Sequence, residues 1–282
     1  MFEQQGVSHV VLDENIAAIG DAVFAFCYDL KTVTYGDNTV SDGEFLFSPS
    51  VVSIGDEAFK DAVLLNDLIV PDTIQSIGKN AFYNSIESPY NCKDVTVTFY
   101  YAGGSIAAEI LQDQKVSHIV VNDNIHTLGD KAFSTCDILE TVSLPDTITT
   151  CGSEVFAASS GAVTAYFRGV DGTVDKAVYK AKTGGLTYLV FDENIRTIGE
   201  SAFANADSVK GVIVTDTELI DDYAFASSTS LGGVVIVKAG TVDDYAFNAC
   251  KGLDYVEIGT AERIGKYAFA ECTAKEIEYL KK

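Results

Sequence analysis

One hexapeptide recurs at spacings that an ordinary globular chain does not show. Ile54-Gly55-Asp56-Glu57-Ala58-Phe59 returns as Ile77-Gly78-Lys79-Asn80-Ala81-Phe82 and, with changes at the polar positions and Leu128 for Ile in one copy, in copies ending at Phe133, Phe203 and Phe269. Looser copies end at Phe24, Phe45, Phe156, Phe225 and Phe247. Most intervals between these ten phenylalanines are 21 to 23 residues, with one of 14 and two of 51 and 47. A period in the low twenties specifies a solenoid, in which each coil is too small to bury its own apolar face and must stack on its neighbours.

A second pattern fills the space between anchors. Six, nine and eleven residues beyond the Phe stand apolar residues, as in Leu65, Leu68, Val70 and in Leu139, Val142, Leu144. The last two alternate as a strand does, and a strand used once per coil can pair only with its counterpart in the next coil, giving a parallel ladder. Pro71 and Pro145 then end the pairing. The expected fold is therefore an α/β repeat: a right-handed β-α superhelix of about ten coils, with a parallel sheet on the inner face, short strands, and short helical turns carrying Ala-Phe. No linker divides residues 1–282, so one solenoid is expected, in sub-blocks of approximately 1–112, 113–184 and 185–282. The segments opening at Ser8, Ser117 and Thr187 resemble one another. The first two blocks close on a strand, a glycine turn and an expected helix capped by Ser105 or Thr173.

Charge narrows the partners. With 19 basic and 41 acidic residues the formal net charge is -22, which repels phosphate backbones and anionic headgroups, so nucleic acid and direct membrane insertion are not expected. No apolar run reaches the roughly 20 residues that span a bilayer. Met1-Phe2-Glu3-Gln4-Gln5 lacks the basic start and apolar stretch of a signal peptide.

The repeat resembles the BspA-type leucine-rich repeats of bacterial and protist surface proteins. The unit L-x-x-V-x-[IL]-P-x-x-[VI]-x-x-I-G-x-x-A-F-x-x-C is followed closely by Val70 to Phe82, and the likeness runs through nearly the whole chain. That resemblance implies an extracellular or cell-surface location and adhesion to an extracellular protein or glycan. The alternative is a spacer or scaffold presenting another domain, and a monomer is expected in either case.

Residues that suggest chemistry fall on repeat positions. Three beyond the anchors stand Cys27, Ser48, Ala62, Ser85, Cys136, Ser159, Ala206, Ser228, Cys250 and Cys272, all small, while Cys92 and Cys151 take core positions of the repeat. Reduced, buried cysteines are expected, with Cys250 and Cys272 the pair to test for oxidation. His9 and His118 occupy a position that holds Tyr188 in the third block, so no metal site is expected there. Carboxylates three before most anchors, such as Asp21, Asp56, Asp130 and Asp244, are read as dipole partners of a helical turn. A calcium ladder would relieve their repulsion, but the spacing matches no EF-hand or RTX loop. No acid, base and nucleophile converge, so neither an enzyme nor a cofactor is expected.

Two features remain as candidate binding residues. Tyr223, Tyr245 and Tyr267 stand two before the last three anchors, at a mostly polar position, where they either meet a sugar or protein partner or staple neighbouring coils. Outward strand positions, read as Thr96, Ser143, Tyr166, Ile213, Val235 and Glu257, are mostly uncharged, and Ile213 and Val235 form an apolar spot. Recognition on the sheet or packing against another segment explains them equally.

Overall fold

The computed structural model describes residues 6–279 apart from 43, 62–66, 72, 79, 83–95, 101–103, 113, 115, 158, 160, 171 and 274–275. Expectations at Ala62, Leu65, Lys79, Ser85 and Cys92 lie outside the described residues. Parallel strands follow one another in chain order across the main sheet, from His9–Leu12 through Thr141–Pro145, Val163–Arg168, Leu186–Phe191, Gly211–Val214, Gly233–Val242 and Tyr255–Ile264 to Glu276–Tyr279. Alternation sets which side chains face in. Leu68, Val97, Ile119, Val142, Ala165, Leu189, Val212, Val234 and Val256 share one register row, and all are buried.

A second, shorter ladder runs through the residues around Ile-Gly and falls into three groups. Ala18–Ile19, Ser53–Ile54 and Ser76–Ile77 form one, and Ser105–Ile106, Thr127–Leu128 and Thr150–Cys151 another. Thr173–Val174, Thr197–Ile198 and Thr217–Ile220 lead into the far halves of the two ten-residue strands. The main sheet crosses both breaks. At the first, the buried side chain of Gln114 takes the place of a neighbouring coil, accepting from the Phe82 N–H at 3.3 Å and donating to the Gly78 carbonyl at 3.2 Å.

The expected helical turns are corrected, because no helix occurs among the described residues. The segment carrying Ala-Phe sends its N–H groups to the next coil instead of back along itself. Tyr223, Phe225 and Ser227 donate to the carbonyls of Asp244, Ala246 and Asn248, and the same every-second-residue ladder joins the other coils of each group. Residues two before and two after the anchor take left-handed φ, for example 57° at Tyr223 and 61° at Ser227, and a helix cannot propagate through them. The glycine of Ile-Gly is required by close approach: a Cβ on Gly129 would lie 2.4 Å from the Ala108 nitrogen, and one on Gly78 2.3 Å from that of Asp56.

Three anchor assignments change. Phe45 belongs to the strand Glu44–Leu46, opposite Val33 and Leu68, so the 14-residue interval vanishes. The expected helices after Ser105 and Thr173 are further coils, with Leu111 and Tyr179 in the anchor position, donating to Ala132 and Ala202 as Phe133 donates to Val155. These two split the long intervals into 29 and 22, and into 23 and 24. Anchor rings stack coil on coil, with centroids 5.2 Å apart for Tyr179–Phe203, 4.9 Å for Phe225–Phe247 and 5.1 Å for Phe247–Phe269. Each such pair contributes about 0.5–1.5 kcal/mol beyond burial.

The small residue after the anchor does more than fit. Thiols of Cys136, Cys250 and Cys272 donate to the anchor carbonyls of the preceding coils, Leu111, Phe225 and Phe247, at 3.1–3.3 Å, and the Ser228 hydroxyl donates to that of Phe203. Ser and Cys share the site because each supplies a short donor. Cys27, Cys136, Cys151, Cys250 and Cys272 form no disulfide among the described residues.

Candidate functional site

Outward side chains of the main sheet form two rows along the solenoid. One runs Thr164, Tyr188, Gly211, Gly233, Tyr255, and its neighbour Ser143, Tyr166, Val190, Ile213, Val235, Glu257. Thr96 falls in the first row, one coil before His118, and the other expected face residues fall in the second. Tyr166, Ile213 and Val235 are thereby brought together, joined by Val190. Tyr166, Tyr188 and Ile213 are 45%, 44% and 42% exposed.

These residues border an open trough of about 510 Å³ floored by Gly211 and Gly233, with Lys210 at its rim. A Cβ on Gly211 would meet the Tyr188 ring at 2.9 Å, so that ring lies across its neighbour's backbone, whereas a Cβ on Gly233 meets nothing within 4 Å. Glycine inside a strand costs about 0.5–1 kcal/mol relative to alanine, and here it appears in the same register on two adjacent strands. Backbone groups of the floor are spent on the ladder, so a ligand meets shape and apolar surface there. The sequence signal for Tyr188 was its alignment with His9 and His118. Those histidines bond the threonine of the next coil, His9 Nδ1 to Thr32 Oγ1 at 2.9 Å and His118 Nδ1 to Thr141 Oγ1 at 2.7 Å. Tyr188 faces glycine instead, and its ring is left on the surface.

Tyr223, Tyr245 and Tyr267 form a separate column on the turn segments. Their rings stack on one another at 5.0 and 5.2 Å, so the faces between them are already occupied. Desolvation, then the two flanking tyrosines, raise the Tyr245 hydroxyl above its ordinary pKa. Beside the column, Asp221 and Asp243 stand where other coils place glycine. With Asp222 they form an acidic cluster, and Arg263 pairs with Asp243 at 2.8 Å and Asp244 at 3.3 Å. Desolvation, followed by Asp243, Asp221 and Asp244, raises the Asp222 carboxyl.

The acidic residues three before the anchors have a use the dipole reading missed. The carboxylates of Asp21, Asp130 and Asp244 accept the N–H of the equivalent residue one coil on, Asp56, Ser153 and Lys266, at 2.7–2.9 Å. At Asp130 that bond holds the carboxyl below its usual range.

A family model described as BspA type leucine rich repeat region matches in six copies over residues 1–52, 43–162, 104–232 and 172–282. Among solved structures, a leucine-rich repeat protein from Bacteroides ovatus is 18% identical, over 98% of this chain and 73% of that one, with a TM-score of 0.35. A leucine rich cell surface protein from Faecalibacterium prausnitzii is 17% identical over 98% and 88%, with a TM-score of 0.34. The pneumococcal vaccine antigen PcpA is 16% identical over 98% and 68%, with a TM-score of 0.29. No curated protein matches.

Proposed function

The chain belongs to the BspA-type leucine-rich-repeat family, whose model matches along its length, and on that premise we propose a non-enzymatic binding or adhesion module of a cell-surface or secreted protein. Its partner is an extracellular protein or glycan, engaged through the outward face of the main sheet. The observation that carries this reading is the patch of Tyr166, Tyr188, Val190, Ile213 and Val235 around the trough, an apolar and aromatic area on a strongly acidic chain. Exposed aromatic residues beside aliphatic ones are the composition of interface hot spots. The Tyr223–Tyr245–Tyr267 column is a second contact, reached at ring edges because the faces between rings are taken.

The test is capture of a panel of extracellular-matrix proteins and a glycan array by the immobilised chain. A Tyr166→Ser/Ile213→Ser variant should lose at least tenfold in affinity while melting as the wild type does, and the triple Tyr→Ser column variant separates the second contact from the first. Retention of full affinity by the sheet-face variant would refute the assignment. A wild type that captures nothing on either panel favours a spacer that presents another domain.

A further inference from the structure

Resting on the sheet-face reading, the geometry points to the kind of partner: a basic protein segment that inserts one bulky apolar side chain over Gly233 and lays its cationic residues toward the C-terminal strands. The slot comes first. Gly233 is the one position of its row, among Thr164, Tyr188, Gly211, Gly233 and Tyr255, over which neither a side chain of its own nor a neighbouring ring lies. Tyr188 stands on one side and Tyr255 on the other, with Ile213 and Val235 along the length. A cavity of roughly 150 Å³ accepts benzene, so a trough of about 510 Å³ takes a Leu, Phe or Trp side chain and leaves room for its backbone. Sugar rings need a fan of polar partners for their hydroxyls, and the floor offers none.

Charge sets the direction. Going from Val235 toward the C-terminal strands, its row turns from apolar to acidic, because Glu257 follows Val235 in register. Glu257 already accepts from the Tyr255 hydroxyl. Strands lie about 4.8 Å apart and two residues along a strand span about 6.8 Å, so Glu257, one strand over and two residues along from Gly233, stands about 8 Å away, which an extended peptide covers in two to three residues. The partner therefore carries Leu, Phe or Trp with Lys or Arg two to three positions away, and runs across the strands. Strand addition is not available there, since the floor strands are paired on both sides.

A random dodecapeptide display library selected on the full chain, followed by synthesis of the consensus peptide, tests this. The consensus should hold one bulky apolar residue and a basic residue two to three positions away. Its affinity should fall at least tenfold on Gly233→Leu, which fills the slot, and severalfold at low salt on Glu257→Gln. Gly233→Ala, a smaller plug, serves if the leucine variant does not melt like the wild type, and should weaken binding by a lesser factor. Peptides that bind both Gly233 variants as wild type but lose affinity for Tyr166→Ser/Ile213→Ser would overturn the slot and leave the sheet-face reading standing. Peptides indifferent to all of these variants would sink both. A library without binders, beside a glycan array with them, overturns the protein-segment assignment.

Discussion

Among the described residues Tyr179 is the only anchor that brings a hydroxyl into the ring column, and replacing it with phenylalanine should stabilise the protein. The ring is fully buried and stacks on Phe203 at 5.2 Å with an interplanar angle of 5°. It meets the Phe167 ring in a T-shaped contact at 5.2 Å. The hydroxyl has no hydrogen-bond partner among the described residues, and burial drives its pKa well above the ordinary value. Tyr179→Phe keeps the ring contacts and removes the orphan oxygen, so the gain is the desolvation cost of that group, about 1–3 kcal/mol. At about 2.1 cal/mol/K per residue the unfolding entropy of 282 residues is roughly 0.6 kcal/mol/K, so the Tm should rise by about 2–5 °C. Circular dichroism melts and urea titrations of both proteins measure it, the two probes together checking that a repeat array unfolds as one unit. An unchanged or lowered Tm in Tyr179→Phe would refute the reasoning, because it would mean that the hydroxyl is satisfied. The reciprocal Phe203→Tyr should lose stability by a similar amount.

Gly20 and Gly129 hold the same repeat position, yet a Cβ on Gly20 meets only the Val23 side chain at 3.4 Å while one on Gly129 strikes the Ala108 backbone at 2.4 Å. Gly20→Ala should be near neutral and Gly129→Ala should cost about 3 kcal/mol or more by urea denaturation, and equal effects would contradict the close-approach account. Among the described cysteines, Cys272 is partly exposed and a side-chain hydrogen bond with Cys250 draws its pKa down to about 7, whereas burial pushes Cys151 up to about 12. Brief iodoacetamide treatment at pH 7.5, read by peptide mass spectrometry, should therefore label Cys272 first, and prior labelling of Cys151 would contradict this ordering. Because the Ser153 N–H lowers the Asp130 pKa, Asp130 adds stability above the ordinary carboxylate range that is lost as pH falls through its lowered value. Asp130→Asn should flatten the acid limb of the stability profile below about pH 4. The raised Asp222 has the opposite sign, its contribution being lost as pH rises through its folded value, so Asp222→Asn should gain stability at neutral pH.

The sheet was legible because its code is binary: Val142 and Leu144 point inward, Ser143 outward, and alternation alone says so. Phe45 misled for a related reason, since a buried strand residue and a buried anchor ask for the same side chain and only pairing tells them apart. Leu111 and Tyr179 were hidden because the anchor selects a large apolar body, and a search for Phe passes over its substitutes. The turn ladder was not legible. Local composition around Ala-Phe suits a helix, and the competing left-handed conformation gains its hydrogen bonds from a coil some 22 residues away. On the candidate surface, Tyr166, Ile213 and Val235 followed from alternation. The slot between them depends on two glycines being in register across strands, which no single coil reveals.

Coils that touch only their neighbours, through sockets of one shape, make length a variable separate from folding. Between Phe203 and Phe269 the interval is 22 residues three times over, with the same ring stack and the same N–H relay at each step. A duplicated or deleted segment of 22 residues in that stretch would leave every surviving socket filled. The reach of the molecule is thus open to lengthening or shortening by genetic slippage, one strand-width at a time, and a change on the C-terminal side of Val235 leaves the trough over Gly233 in place.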